Sequence, residues 1–179
     1  ERQVALILDE IQCGLGRTGT LFAYEQAGIE PDMVTLAKPL AGGLPMGAIL
    51  MTDEIASTIK PGDHGTTFGG GPFVASVALH VFERLSDPAM LAHVRDVGEW
   101  FGEELNEIAH RTSRIRQVRG VGLMWGLDVM GMAGHVVSEA LAHGLLVCSA
   151  GEYTVRLLPP LVATQEELAR GLQILEGVL

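Results

Sequence analysis

Short apolar runs and glycine-rich turns alternate through the first half of the chain. Val4–Leu8, Met33–Ala37 and Gly47–Thr52 are continuous apolar or nearly apolar runs of strand length. A half-exposed strand would alternate, so such runs predict a sheet buried on both faces, as in α/β proteins. Between the first two runs lie a loop punctuated by Gly14, Gly16 and Gly19 and a short helical piece, Phe22–Ala27, closed by Gly28. Pro72 suits a first helical turn, and Phe73–Leu85 carries a helical pattern behind it. Asp87 is placed to cap the next helix ahead of Pro88. Leu91, Val94, Val97, Phe101, Leu105 and Ile108 then recur at spacings of three and four. From Arg114 the pattern becomes strand, helix, strand, helix. Val118–Val129 is extended, Val136–His143 is helical and stopped by Gly144, and Val155–Leu158 is extended before Pro159 and Pro160. A capping box from Thr164 to Glu167 opens the last helix. The change of pattern places a boundary near residue 88, between part of a mostly parallel α/β domain (1–87) and a linking helix with a small α+β domain (88–179).

Composition narrows the function classes. The 179 residues suit one domain or two small ones, and 47% hydrophobic content excludes a disordered or fibrous chain. A net charge of −10, with no basic block, argues against nucleic acid and anionic membranes as partners. The apolar runs are far too short to span a bilayer. Cys13 and Cys148 lie far apart with no Cys/His ladder, which argues against a disulfide scaffold or a metal site and fits a reducing, cytoplasmic setting. The chain opens at Glu1 without Met and is apolar by Val4, as a sequence entered within a domain would be. Any targeting peptide would lie upstream.

Asp9 and Lys38 stand at the carboxyl ends of the first two predicted strands, where ligands bind in open α/β sheets. A structural salt bridge between strand ends fits the same positions equally well. Gly14, Gly16 and Gly19 spell GxGxxG, but five residues separate the strand from the first glycine and the next strand leads to Lys38, so a tight turn is the better reading than a dinucleotide fingerprint. Thr66-Thr67-Phe68-Gly69-Gly70-Gly71 precedes a helix and could hold a phosphate through backbone N–H groups and hydroxyls. It lacks the lysine of a P-loop. Arg156, between apolar neighbours in an extended segment, could clamp a carboxylate or pair with a surface acid. Of the six histidines only His64 adjoins candidate chemistry, and Cys13 has no identifiable base.

Taken together, these segments resemble the class III pyridoxal-phosphate aminotransferases, and within them the acetylornithine and ornithine aminotransferases. The resemblance rests on Leu8-Asp9-Glu10-Ile11-Gln12, Gly14–Gly19, Pro31-Asp32, Ala37-Lys38, Gly42-Gly43-Leu44-Pro45, His64–Gly70 and Val155–Leu161, and on the 29-residue separation of Asp9 and Lys38. It implies a type I pyridoxal-phosphate transferase fold: the C-terminal part of the large cofactor domain, then a small domain. It implies that Lys38 forms an aldimine with pyridoxal 5′-phosphate and shuttles a proton, and that Asp9 pairs with the pyridinium nitrogen. Ile11 would pack on a ring face and Gln12 would bond near the phenolic oxygen. Thr67 would contact the phosphate in the neighbouring subunit of a homodimer whose sites are shared across the interface, with Thr66 near substrate there. Arg156 would hold the substrate α-carboxylate. The implied reaction moves the terminal amino group of N-acetylornithine, or a close ω-amino relative, to 2-oxoglutarate. Related decarboxylases, racemases and aminomutases share these motifs. Family members are much longer, so a catalytically incomplete fragment is the other expectation.

Overall fold

A computed structural model describes residues 4–179 and divides into two compact units, one ending at Leu91 and one running from Ala92 to Leu179. In the first, strands β1 (Ile7–Asp9), β2 (Met33–Leu36) and β3 (Ala48–Met51) form a sheet in that order. β1 and β2 run parallel, with Asp9 opposite Thr35, while β3 returns antiparallel to β2. A 3-10 turn at Ala23–Ala27 ends at Gly28 in the left-handed conformation, φ +61°. A four-residue helix α1 (Asp53–Ala56) and the longer α2 (Pro72–Leu85) complete the unit.

β1 starts later than the apolar run does. The Leu6 amide donates to the Asp32 carboxylate at 2.7 Å, and the Leu6 carbonyl accepts from the Asp32 and Met33 amides. Those bonds hold the approach to the strand, and the ladder itself runs from Ile7 and takes in Asp9. Within this chain one face of the sheet is covered and the other is open. Val34 and Leu36 of β2 join a core cluster with Leu15, Leu40, Ala41 and Ala78 of α2. Ile7 and Ile49 remain more than half exposed, because strand alternation turns them away from α2 with Met33 and Thr35.

In the second unit, α3 (Pro88–Arg111) is followed by β4 (Ile115–Val121), β5 (Met124–Val129), α4 (Ala133–Ala142), β6 (Cys148–Ala150), β7 (Thr154–Leu157) and α5 (Gln165–Val178). The Asp87 carboxylate accepts from the Ala89 amide at 2.8 Å at the start of α3. The strands form an antiparallel sheet in the order β4-β5-β7-β6. Two features differ from the sequence pattern. Val118–Val129 is a hairpin rather than one strand, since Gly122 adopts φ +55° and Val121 pairs with Met124 across a two-residue turn. β6, short and exposed, has no apolar run to announce it. The inward residues Leu127, Val129, Val155 and Leu157 are buried, as are Val94, Phe101, Leu105 and Ile108 of α3 and Leu168, Leu172 and Leu175 of α5. A methyl group at Gly98 would overlap the Gly122 backbone, so helix and hairpin turn meet where neither carries a side chain. The Thr164–Glu167 capping box forms as its spacing predicts.

Candidate active site

Asp9 is the last residue of β1, and its position is fixed twice over. Its Oδ1 accepts from the Ile11 amide at 3.0 Å and from the Thr35 hydroxyl at 3.2 Å. Both donors engage the same oxygen. The Glu10 amide continues the ladder onto the Thr35 carbonyl at 3.0 Å, which ties the ends of β1 and β2 together.

Lys38 follows β2 by two residues and is exposed. Three residues beyond Thr35, it lies within about 10 Å of chain from the residue opposite Asp9. Its backbone has φ +25°, a conformation a side-chain-bearing residue rarely adopts and which costs roughly 1–3 kcal/mol. Pro39 follows and restricts it further. A turn from the Leu40 amide to the Ala37 carbonyl at 2.8 Å closes around it, anchored by the buried Leu40 and Ala41. The surrounding fold therefore over-determines where the Lys38 stem begins.

The glycine loop spends its amides on itself. Gly14 donates to the Glu10 carbonyl, Gly16 to the Leu21 carbonyl and Gly19 to the Gly16 carbonyl, all within 3.1 Å. The tight-turn reading of GxGxxG agrees with this. Ile11 and Gln12 begin the loop, both half-buried. What locks the loop is Glu10, which sequence reasoning passed over. Only 3% exposed, its carboxylate accepts from the amides of Ala23 at 3.0 Å and Tyr24 at 2.9 Å. It thereby satisfies the otherwise unpaired donors that open the 3-10 turn. The Cys13 thiol also reaches it, at 3.4 Å. Burial, then the Glu10 charge and hydrogen bond, push that thiol up to about 11. Cys13 is thus held protonated and is no nucleophile near neutrality. The available signal for Glu10 was an acid directly after an apolar strand. For Thr35 it was the one hydroxyl inside the run Met33–Ala37.

Thr66 and Thr67 lie in an exposed loop of the same unit before α2. The Thr66 hydroxyl accepts from the Gly69 amide at 3.1 Å, and Pro72 takes the first helical position. Phe68 is 86% exposed beside them.

Arg156 belongs to the second unit, on β7 opposite Gly126 of β5 and Cys148 of β6. Arg119 of β4 faces Gly126 from the other side. Its guanidinium binds Asp128 through both nitrogens, one at 2.8 Å, and Thr154 joins the same carboxylate. The Arg119 and Thr154 bonds hold the Asp128 carboxyl below its ordinary range. An apolar cavity of about 530 Å³ also lies in this unit, lined by residues such as Phe101, Leu145, Leu157 and Leu172. It contains none of the expected site residues, and its one acid, Glu167, is engaged in the cap of α5. Among the described residues, no helix is long and apolar enough to cross a membrane, and no cluster of His, Cys, Asp and Glu could hold a metal.

The two units have the mixed α/β architecture of solved type I pyridoxal-phosphate-dependent aminotransferases. Solved structures of that fold superimpose on 98% of the chain. They include N-acetylornithine aminotransferase from Stenotrophomonas maltophilia K279a (TM-score 0.87, 38% identity, 46% of that chain covered). Ornithine delta-aminotransferase from Plasmodium falciparum is another (TM-score 0.92, 32% identity, 47% covered). The family model for aminotransferase class III matches residues 1–179, and the chain belongs to that family. It is 49% identical over 171 residues to a mitochondrial acetylornithine aminotransferase of Alnus glutinosa, covering 95% of this chain and 38% of that protein. It is 42% identical over 173 residues to an acetylornithine aminotransferase of Bacillus cereus, covering 97% of this chain and 45% of that protein. The chain thus spans less than half the length of these relatives.

Proposed function

We propose that the complete gene product is a pyridoxal-phosphate-dependent aminotransferase that moves the terminal amino group of N-acetylornithine to 2-oxoglutarate. The observation that carries this reading is the placement of Asp9 and Lys38 at neighbouring ends of β1 and β2, with one Asp9 oxygen fixed by Ile11 and Thr35. The curated relatives named above are acetylornithine aminotransferases, and among superimposed structures the Stenotrophomonas N-acetylornithine enzyme is 38% identical against 32% for the Plasmodium ornithine enzyme; both support acetylornithine as the donor.

The residues fit the cofactor's chemistry. Asp9 offers an anion at a strand end with one oxygen already committed, suited to a cationic ring nitrogen. Lys38 offers an amine on a backbone whose direction is fixed. When bound, pyridoxal phosphate supplies an electron sink that stabilises negative charge at the substrate carbon. Asp9 holds the proton on the ring nitrogen and so keeps that sink effective. Nζ of Lys38 would hold the cofactor and would serve as the base that moves the substrate proton. Ile11 packs against a ring face and Gln12 orients the phenolic oxygen, both from a loop that Glu10 keeps rigid. Arg156 orients the substrate carboxylate through its planar pair of donors. Thr67 serves the phosphate of a second subunit's cofactor and Thr66 lies near substrate there. The exposed loop around Phe68, and the exposed Phe73 of α2, support a homodimer closing over this segment. Residues 1–87 are assigned to the large cofactor-binding domain and 88–179 to the small domain with its linking helix. Cys13 and Cys148 are both free, which suits a reducing compartment such as the cytoplasm.

The test uses the complete gene product loaded with pyridoxal phosphate. Borohydride reduction followed by peptide mapping should place the label on Lys38, and N-acetylornithine with 2-oxoglutarate should turn over. A label on any other lysine, including Lys60 of this chain, would overturn the site, and turnover confined to other amines would overturn the substrate.

A further inference from the structure

We propose that Thr35 is a positioning residue for Asp9: its hydroxyl, acting with the Ile11 amide, fixes one carboxylate oxygen so that the other is presented to the ring nitrogen of the cofactor. The inference rests on the reading of Asp9 as the cofactor's counter-ion. Asp9 lies opposite Thr35 in the parallel ladder, and the Glu10 amide bonded to the Thr35 carbonyl at 3.0 Å prevents slippage between them. The Thr35 hydroxyl and the Ile11 amide reach Oδ1 at 3.2 and 3.0 Å. Two donors on one oxygen arrest rotation of the carboxylate, and they do so from two different segments of the chain.

Packing does not call for the hydroxyl. Val34 and Leu36 take the buried positions of β2, and Thr35 sits on the other face of the strand with Met33. Valine would fill the same shape there, so the oxygen is accounted for by its bond to Asp9. Asp9 is itself exposed, and without the second donor water would compete for its orientation. A neutral hydroxyl donor steers the carboxylate while leaving its negative charge in place, which a lysine or arginine at the same position would cancel.

The experiment compares Thr35→Val, Thr35→Ser and Asp9→Ala in the complete, cofactor-loaded protein. Two quantities are read: the dissociation constant for pyridoxal phosphate, and the pH midpoint of the bound cofactor's visible absorbance band. Thr35→Val should weaken retention about tenfold, the scale of a hydrogen bond to a charged group, and move the midpoint by about half a pH unit or more. Thr35→Ser, which keeps the hydroxyl, should stay within about twofold of the parent. Thr35→Val added to Asp9→Ala should change retention by less than about twofold, because the partner is gone. If Asp9→Ala alters both quantities and Thr35→Val neither, the positioning role is wrong and the Asp9 reading stands. If Asp9→Ala alters neither, the Asp9 reading fails and Thr35 fails with it. An effect of Thr35→Val that serine does not restore, or that persists without Asp9, overturns the proposal in favour of a purely structural threonine.

Discussion

The two units of this chain are stabilised in different ways. The second is an apolar design: inward residues of β4, β5 and β7 and the buried stripes of its helices form its core, with Leu105, Leu123, Leu127 and Val155 almost wholly removed from water. Its polar bonds lie outside that core, as in the α5 cap, the Arg111–Glu176 pair and the Arg119–Asp128–Thr154 group on the sheet. The first unit has a smaller core cluster and leaves apolar strand residues exposed. Its order comes from directed polar bonds: Asp32 on the Leu6 amide, Glu10 on the Ala23 and Tyr24 amides, Ile11 and Thr35 on Asp9. Apolar packing specifies volume and tolerates repacking. Hydrogen bonds to charged groups specify direction. On the proposed function the first unit aims a lysine and a carboxylate, which calls for the second kind of order.

The largest effect should come from the first unit and leave stability nearly untouched. On the proposed function Lys38→Ala removes the amine that would hold the cofactor, and turnover should fall by roughly a thousandfold or more, about 4 kcal/mol of barrier. It should also abolish borohydride labelling. The exposed side chain contributes no packing, and its replacement by alanine does not relieve the unfavourable backbone angle. The urea midpoint should therefore shift little. Loss of folding in Lys38→Ala would break the comparison, by making the lysine a structural element.

The converse test falls on the second unit. Leu127 is fully buried in β5, and Leu127→Ala should cost about 2–5 kcal/mol by lost transfer and a residual cavity. Ile7→Ala, on the open face of β1, should cost well under about 1 kcal/mol. Urea unfolding of both variants reads the difference. Similar losses at the two positions would mean that the exposed face of the first unit is packed in the complete protein.

How much of this was legible in the sequence follows the same division. The apolar architecture was readable because periodicity reports burial: the α3 stripe from Leu91 to Ile108, the α2 run and the capping box of α5 all lie where spacing puts them. Failures occurred where one residue changes the chain's direction. Gly122 turns Val118–Val129 into a hairpin, yet in sequence it is one of three glycines in that segment, with no Asn or Asp beside it to mark the turn. β6 is three residues long and exposed, so no pattern marks it. Asp9 and Lys38 were legible from position at strand ends and from motif. Glu10 and Thr35 were not, since a carboxylate that caps a turn thirteen residues away leaves no local spacing to read. The apolar runs report that a strand face is to be covered without saying by what.

Glu10 tests the directional half of the comparison at intermediate size. Glu10→Gln keeps the shape but can present an acceptor to only one of the Ala23 and Tyr24 amides, and its own N–H₂ group then opposes the other. Leaving one buried donor unsatisfied should cost about 1–3 kcal/mol. Hydrogen exchange at Ala23 and Tyr24 should accelerate far more than exchange within β5 or β7. Uniform acceleration across both units would show that Glu10 supports global stability and not the loop.

The smallest effect is the titration of Cys13, and it reports on the same latch. Its thiol is raised from an ordinary 9.0 to about 11, first by burial and then by the neighbouring Glu10 carboxylate. An acid whose folded value is raised binds its proton more tightly in the folded chain than in the unfolded one. Below pH 9 both states are protonated and the contribution to stability is fully present. Between pH 9 and 11 the unfolded thiol ionises first, so stability falls as pH rises through that window. The effect should be modest, because Cys13 is only partly buried and water screens the charge. Thiol labelling separates this titration from others at high pH: at pH 9 the exposed Cys148 should react promptly, while Cys13 stays slow until the pH approaches 11. In Glu10→Gln the Cys13 reaction should begin at lower pH, since the charge and the charged acceptor are gone while most of the burial remains. An unchanged labelling profile in that variant would leave burial as the only cause of the shift and would remove Cys13 from the Glu10 latch.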